Sequence, residues 1–130
     1  MRSIPWPRKT ALTGLALAAG ASAVLAGGSP AAAHDTNWVC WASAGSTVGC
    51  VRVTTSHTKI EVCDTAKNGI GVYAEFYLKN NRSGEIAHDV VSDSNGADPG
   101  CGTYRTETGW VITRFRGIER GSTSSPWITA

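Results

Sequence analysis

The sequence predicts an all-β protein, a small antiparallel β-sandwich with two disulfides, preceded by a helical signal peptide. Three observations carry that reading. From residue 34 onward, apolar residues recur with a period of two rather than 3.6. Clusters of Gly, Asn, Asp, Ser and Pro interrupt the chain at close spacing, as turns between short strands require. All four cysteines (Cys40, Cys50, Cys63 and Cys101) fall in this alternating part. Seven or eight short strands without a helical stretch argue a sandwich or a small barrel.

Residues 1–33 read as a targeting segment. Arg2, Arg8 and Lys9 make a basic start, an apolar run of small residues extends from Ala11 to Ala26, and Gly27-Gly28-Ser29-Pro30 breaks the helix before Ala31 and Ala33. That is the layout of a secretory signal peptide with an A-x-A cleavage site. The competing reading, a retained membrane anchor, wants about twenty strongly apolar residues and no small-residue cleavage patch. The expected product is one domain, 34–130, of 97 residues (130 less 33). A chain that short buries only about two-thirds of the surface its unfolded form exposes, so cross-links are expected to supplement its core.

The elements follow in order. Trp38-Val39-Cys40-Trp41 is a weak strand, and Ala42-Ser43-Ala44-Gly45-Ser46 turns the chain back. Cys50 to Thr55 and Lys59 to Cys63 alternate clearly. Asn68-Gly69 is a strong turn dipeptide. Val72 to Leu78 alternates with Val72, Ala74, Phe76 and Leu78 on one face, leaving Tyr73, Glu75 and Tyr77 on the other. Polar loops at Asn80 to Gly84 and Asp93 to Gly100 flank a weaker strand, Ile86 to Ser92. Cys101 to Thr106, Trp110 to Arg116 and Trp127 to Thr129 complete the set, separated by Thr108-Gly109 and by Gly121 to Pro126. The β-branched and aromatic content of these runs suits a pleated, half-buried surface.

Charge changes with the leader. Losing Arg2, Arg8 and Lys9 takes Lys+Arg from 12 to 9 against 10 Asp+Glu, a net charge of −1. No basic patch remains for nucleic acid. Arg114 and Arg116, two apart on a strand, read as the wet face of a sheet. Four cysteines in an exported chain read as two disulfides with three possible pairings. Cys40–Cys50, stapling an N-terminal hairpin, and Cys63–Cys101, tying a strand to a Gly-rich loop, is the preferred one. Cys-x-x-Cys spacing is absent, which argues against zinc.

Two resemblances add to this. Val62-Cys63-Asp64 with Asn68-Gly69-Ile70-Gly71-Val72-Tyr73-Ala74-Glu75-Phe76 resembles a strand-turn-strand signature of small secreted disulfide-containing proteins of filamentous actinobacteria. Val91-Ser92-Asp93-Ser94-Asn95-Gly96 with Gly100-Cys101-Gly102, and Thr113-Arg114-Phe115-Arg116 with Ser125-Pro126-Trp127, are similar to its second and third blocks. The resemblance spans roughly residues 58–130 and implies a fold and an exported location, but no function. Such proteins often carry a further cysteine pair in the tail, whereas no cysteine follows Cys101 here. The two-disulfide architecture also resembles tendamistat-type α-amylase inhibitors, so an immunoglobulin-like or tendamistat-like sandwich is expected. Their inhibitory Trp-Arg-Tyr triplet is absent, and fold alone transfers no activity.

Several residues are candidates for chemistry. Cleavage after Ala33 would leave His34 as the first residue, its amine and imidazole free to chelate copper with His57 or His88, perhaps aided by Asp89. That arrangement resembles the histidine brace of copper-dependent polysaccharide monooxygenases. His88-Asp89 fits a catalytic pair poorly, because adjacent strand residues point to opposite faces. No nucleophile sits in a G-x-S-x-G elbow. Glu61, Asp64, Glu75, Glu85 and Asp93 offer no preferred carboxylate pair for glycoside hydrolysis. Asp93, Asn95 and Asp98 depart from a calcium loop and suit a turn. Asn81-Arg82-Ser83 is a glycosylation sequon with meaning only in a eukaryotic secretory route.

The aromatics carry more weight. Trp38, Trp41, Trp110, Trp127, Tyr73, Tyr77 and Tyr104 belong to the exported part; most of the tryptophans are expected in the core, and those left outside favour recognition of protein or sugar. The expectation is a secreted, non-enzymatic binding or inhibitor module, monomeric, acting on an extracellular protein or glycan through Tyr73, Tyr77, Trp110 and Trp127. It needs no cofactor, no nucleic acid and, after cleavage, no membrane. The alternative is a copper-binding protein using His34. A third class, an antimicrobial or toxin, is disfavoured because a near-neutral charge suits membrane disruption poorly.

Overall fold

The computed structural model describes residues 35–130. The expected leader and His34 lie outside the described residues. Within them the chain forms β1 (Val39–Ser43), β2 (Ser46–Thr54), β3 (Lys59–Asp64), β4 (Val72–Asn80), β5 (Ile86–Ser92), β6 (Gly102–Arg105), β7 (Trp110–Glu119) and β8 (Ile128–Thr129), with no helix among them. These strands make two four-stranded antiparallel sheets, a first in the order β1-β2-β3-β6 and a second in the order β5-β4-β7-β8. The all-β expectation and both disulfide pairings, Cys40–Cys50 and Cys63–Cys101, hold.

Alternation decides which side chains meet between the sheets. Val51, Val53, Ile60 and Val62 from the first sheet face Val72, Ala74, Phe76, Leu78, Ile112 and Phe115 from the second, all buried. Tyr104 on β6 adds a tilted ring contact with Phe76, centroids 5.0 Å apart. Trp41 is the tryptophan that fills the core, over Gly49 and Gly117, whose missing side chains leave room for its indole.

Strand limits differ from the sequence reading where polar or small residues sit inside a strand. β2 begins at Ser46, ahead of Cys50, because Ser46, Thr47 and Gly49 already pair with β1, with Val48 the extra residue of a bulge between them. The turn before it is correspondingly tight, with Ala44 and Gly45 at φ +50° and +81°, the left-handed pair that a two-residue hairpin needs. Thr55, expected in the strand, instead opens a left-handed run with Ser56 and His57. β7 continues past Arg116 to Glu119, a buried carboxylate that accepts a hydrogen bond from Asn68 Nδ2 at 2.9 Å. Asn68-Gly69 therefore turns the chain from the first sheet to the second and is anchored there; Asn68 Oδ1 also accepts the Ile70 N–H at 2.9 Å.

β7 bulges against β4. Tyr77 faces Arg114 while Leu78 faces Ile112, which leaves Thr113 as the extra residue. Ile112 and Phe115 can thus both point inward, and Arg114 and Arg116 both outward.

Candidate functional site

The outer face of the second sheet collects the aromatic and basic side chains that the core excludes. Strand pairing sets its rows: Ser92, Tyr73 and Ile118 in one, Val90, Glu75 and Arg116 in the next, and His88, Tyr77 and Arg114 in the third. Trp127, just before β8, closes the side away from β5. Its ring lies 5.5 Å from that of Tyr77. The Arg114 guanidinium stands 4.2 Å over the Tyr77 ring and 4.9 Å over Trp127, and Arg116 stands 4.7 Å over Trp127. Arg120 extends the pattern over Tyr73 at 5.5 Å. Guanidinium groups are drawn to these ring faces by the negative quadrupole of the π system.

Glu75 is the acidic centre of the face. His88 Nε2 and Arg116 Nη2 each lie 2.8 Å from one of its oxygens. Burial pushes its carboxyl up, but hydrogen bonds from His88 and Arg116 and their charges outweigh that and hold it below its ordinary value of 4.5. A carboxylate so held is a poor proton donor at neutral pH. The two ion pairs tie β5, β4 and β7 together across the face. Among the described residues, neither Arg114 nor Arg120 forms an ion pair; both are exposed, and Arg120 Nη2 donates to Ser92 Oγ at 3.4 Å. Val90 and Ile86 on β5 add exposed apolar surface beside them.

Three of the four predicted binding residues, Tyr73, Tyr77 and Trp127, come together here. Trp110 does not: it is half-buried at the start of β7 and packs against the core. In the sequence Arg114 and Arg116 read as the wet face of a sheet, Glu75 as sharing a face with Tyr73 and Tyr77, and His88 as a candidate copper ligand; none of them is singled out there for binding a partner protein. The signal for them was the shared alternation of Tyr73-x-Glu75-x-Tyr77 and Arg114-x-Arg116, but which strands lie side by side is not written in either segment.

The remaining candidates are dispersed. His57 sits in the left-handed turn before β3, where its carbonyl accepts the Ile112 N–H at 2.8 Å, whereas His88 is engaged by Glu75 on the outer face. Among the described residues, no three of His, Cys, Asp and Glu are grouped so as to hold a metal ion. Glu61, on the first sheet, is paired with Arg52 and Lys59, each at 2.7 Å. Asp64 and Asp93 line a groove of about 500 Å³ between two loops. Their oxygens serve the backbone: Asp93 Oδ2 accepts the Asp64 N–H at 2.8 Å, and Asp64 Oδ1 the Ala66 N–H at 3.0 Å. Asn95 binds the Pro99 carbonyl through Nδ2 at 2.9 Å, and Asp98 is exposed. These loops are held by the turn chemistry their sequence suggests.

No protein-family model, curated protein or solved structure matches the chain.

Proposed function

We propose that the protein is an exported, non-enzymatic recognition module, and that the outer face of the second sheet binds an acidic surface of a partner protein. One observation carries the reading: Arg114 is stacked on both Tyr77 and Trp127 and, among the described residues, pairs with no carboxylate. Tyr, Trp and Arg are the residues that dominate binding energy at protein interfaces, because rigid rings and a planar fork lose little freedom on binding. The stacked rings hold the guanidinium in place, and its free edge suits a bidentate carboxylate. Val90 and Ile86 supply apolar contact at the margin.

A glycan is the weaker partner. Sugar rings dock on open aromatic faces, and here guanidinium groups stand over Tyr77 and Trp127. Export is supported by two disulfides and no free cysteine among the described residues, a state that oxidising compartments sustain. Inhibition of an extracellular hydrolase is one form such binding would take.

The test uses purified full chain, processed by its host, immobilised and exposed to spent culture medium. The parent protein is expected to retain one stoichiometric protein, eluted by salt, and the Arg114→Glu variant to lose it. Equal retention by both proteins, or retention of insoluble glycan by both, overturns the reading.

A further inference from the structure

The four cysteines form one transverse row on the outer face of the first sheet. Cys40 on β1 is the register partner of Cys50 on β2, and Cys50 is the register partner of Cys63 on β3. The β3–β6 ladder ends at Val62 opposite Gly102, and the residues that come next, Cys63 and Cys101, are joined by the second disulfide with α-carbons 4.5 Å apart. The row thus crosses the sheet from edge to edge, with Cys40 exposed on β1, Cys101 exposed immediately before β6, and Cys50 and Cys63 half-buried between them.

Antiparallel pairing alternates between narrow and wide pairs, about 4.5 and about 5.5 Å between α-carbons. The bonded pairs are the narrow ones, at 4.0 Å for Cys40–Cys50 and 4.5 Å for Cys63–Cys101. A central strand turns the backbone groups of each residue toward one neighbour. Cys50 and Cys63 therefore make the wide pair between two narrow ones. A separation of about 5.5 Å still lies within the range that a disulfide spans. Every adjacent pair in the row is bonded or within bonding reach. A groove of about 340 Å³ lined by Trp38, Cys40, Cys50, Cys63 and Thr65 opens onto three of the four residues.

We infer that the row is a thiol–disulfide relay that accepts two electrons from an external dithiol at one edge of the sheet and presents a thiol at the other. A thiolate of the dithiol attacks Cys101 Sγ, forms a mixed disulfide and releases the Cys63 thiolate. Cys63 then attacks Cys50 Sγ; the Cys50–Cys63 bond forms and the Cys40 thiolate leaves. The second thiolate of the reagent displaces Cys101, and the reagent departs as its cyclic disulfide. The two protons it surrenders end on Cys40 and Cys101. One external dithiol is oxidised, and one of the two protein disulfides is lost. Exchange requires an attacking thiolate and an accessible sulfur at each step, and the row supplies both without any strand leaving its neighbour.

The experiment treats the intact disulfide-bonded protein with one equivalent of dithiothreitol under native conditions, quenches with acid, alkylates, and maps linkages by non-reducing digestion and mass spectrometry. The expected product carries alkyl groups on Cys40 and Cys101 together with a Cys50–Cys63 cross-link. Two-electron-reduced molecules labelled solely on Cys40 with Cys50, or on Cys63 with Cys101, overturn the relay. So does the spread of all pairings, Cys40–Cys101 included, that a parallel sample in urea gives. As a second measurement, oxidised Cys40→Ser/Cys101→Ser protein is expected to contain no free thiol, and two free thiols in that variant, while it is folded by circular dichroism, count against the proposal.

Discussion

The indole of Trp41, on β1, occupies the space directly over the α-carbon of Gly117, on β7 of the facing sheet. A methyl group at Gly117 would enter the ring, and one at Gly49 would meet it from the neighbouring strand. These two glycines are spacers, and they let the largest side chain of the core lie flat between the sheets. Over-packing a filled core typically costs about 1–3 kcal/mol. Gly117→Ala is expected to lower stability by about that amount in urea unfolding, and Trp41→Phe in the same background should recover part of it. An unchanged midpoint for Gly117→Ala would show that the indole moves aside at no cost.

Acid should loosen both sheets through a carboxylate on each. Glu75 and Glu61 are each raised by burial and lowered more strongly by their partners, His88 and Arg116 for the first, Lys59 and Arg52 for the second, so both lie below 4.5 in the folded protein. A lowered folded-state value means that the stabilisation is complete above pH 4.5, where the unfolded chain is also ionised, and is lost as pH falls through the folded-state values. Urea midpoints are expected to drop below pH 4.5. The Glu61→Gln/Glu75→Gln variant should be less stable than its parent at pH 7 and show a flatter acid limb. Parallel acid limbs for the two proteins would assign the acid sensitivity to other groups.

The fold was legible in the sequence because its cause is local. Alternation over Val72–Leu78 names the buried face of β4 without reference to any other strand. The candidate site was half legible for the same reason. Tyr73 and Tyr77 share a face within one segment, so their outward placement could be read. Their meeting with Arg114 depends on β7 lying next to β4, with a bulge at Thr113, a tertiary outcome that neither segment encodes. Trp110, expected among the binding residues, is half-buried at the start of β7, a position where periodicity cannot tell a half-buried ring from an exposed one. Cysteine spacing left three pairings open, and the narrow and wide alternation of the ladder selects among them only once the register is known.

The stacking of Arg114 on Tyr77 should be worth little to the fold, which is what separates a recognition role from a structural one. Cation–π contacts at exposed sites contribute about 0.5–1 kcal/mol. A double-mutant cycle with Arg114→Ala and Tyr77→Ala is expected to give a coupling energy in that range, and Arg114→Ala alone should leave the protein folded at 37 °C. Thermal and urea unfolding of the four proteins would check this. A coupling several times larger would make the pair a structural clamp, and the loss of partner binding in Arg114→Glu would then need a folding explanation.

The two disulfides should differ in what their removal costs, and the chain order says which way. Cys40 and Cys50 are 10 residues apart and close a hairpin already joined by a two-residue turn, whereas Cys63 and Cys101 are 38 apart and close a loop that contains two strands of the other sheet. Loop-closure entropy puts the first at about 3 kcal/mol and the second at about 4 kcal/mol. β6, four residues long, is joined by ladder hydrogen bonds to β3 alone, so losing Cys63–Cys101 also leaves the edge of the first sheet held by one short ladder. Cys63→Ser/Cys101→Ser is therefore expected to unfold at lower urea than Cys40→Ser/Cys50→Ser, with β6 amides exchanging hydrogen fastest. The reverse order of midpoints would mean that the N-terminal hairpin cannot hold its register without its cross-link, and that the indole of Trp41, which that hairpin positions, contributes more to the core than the longer loop does.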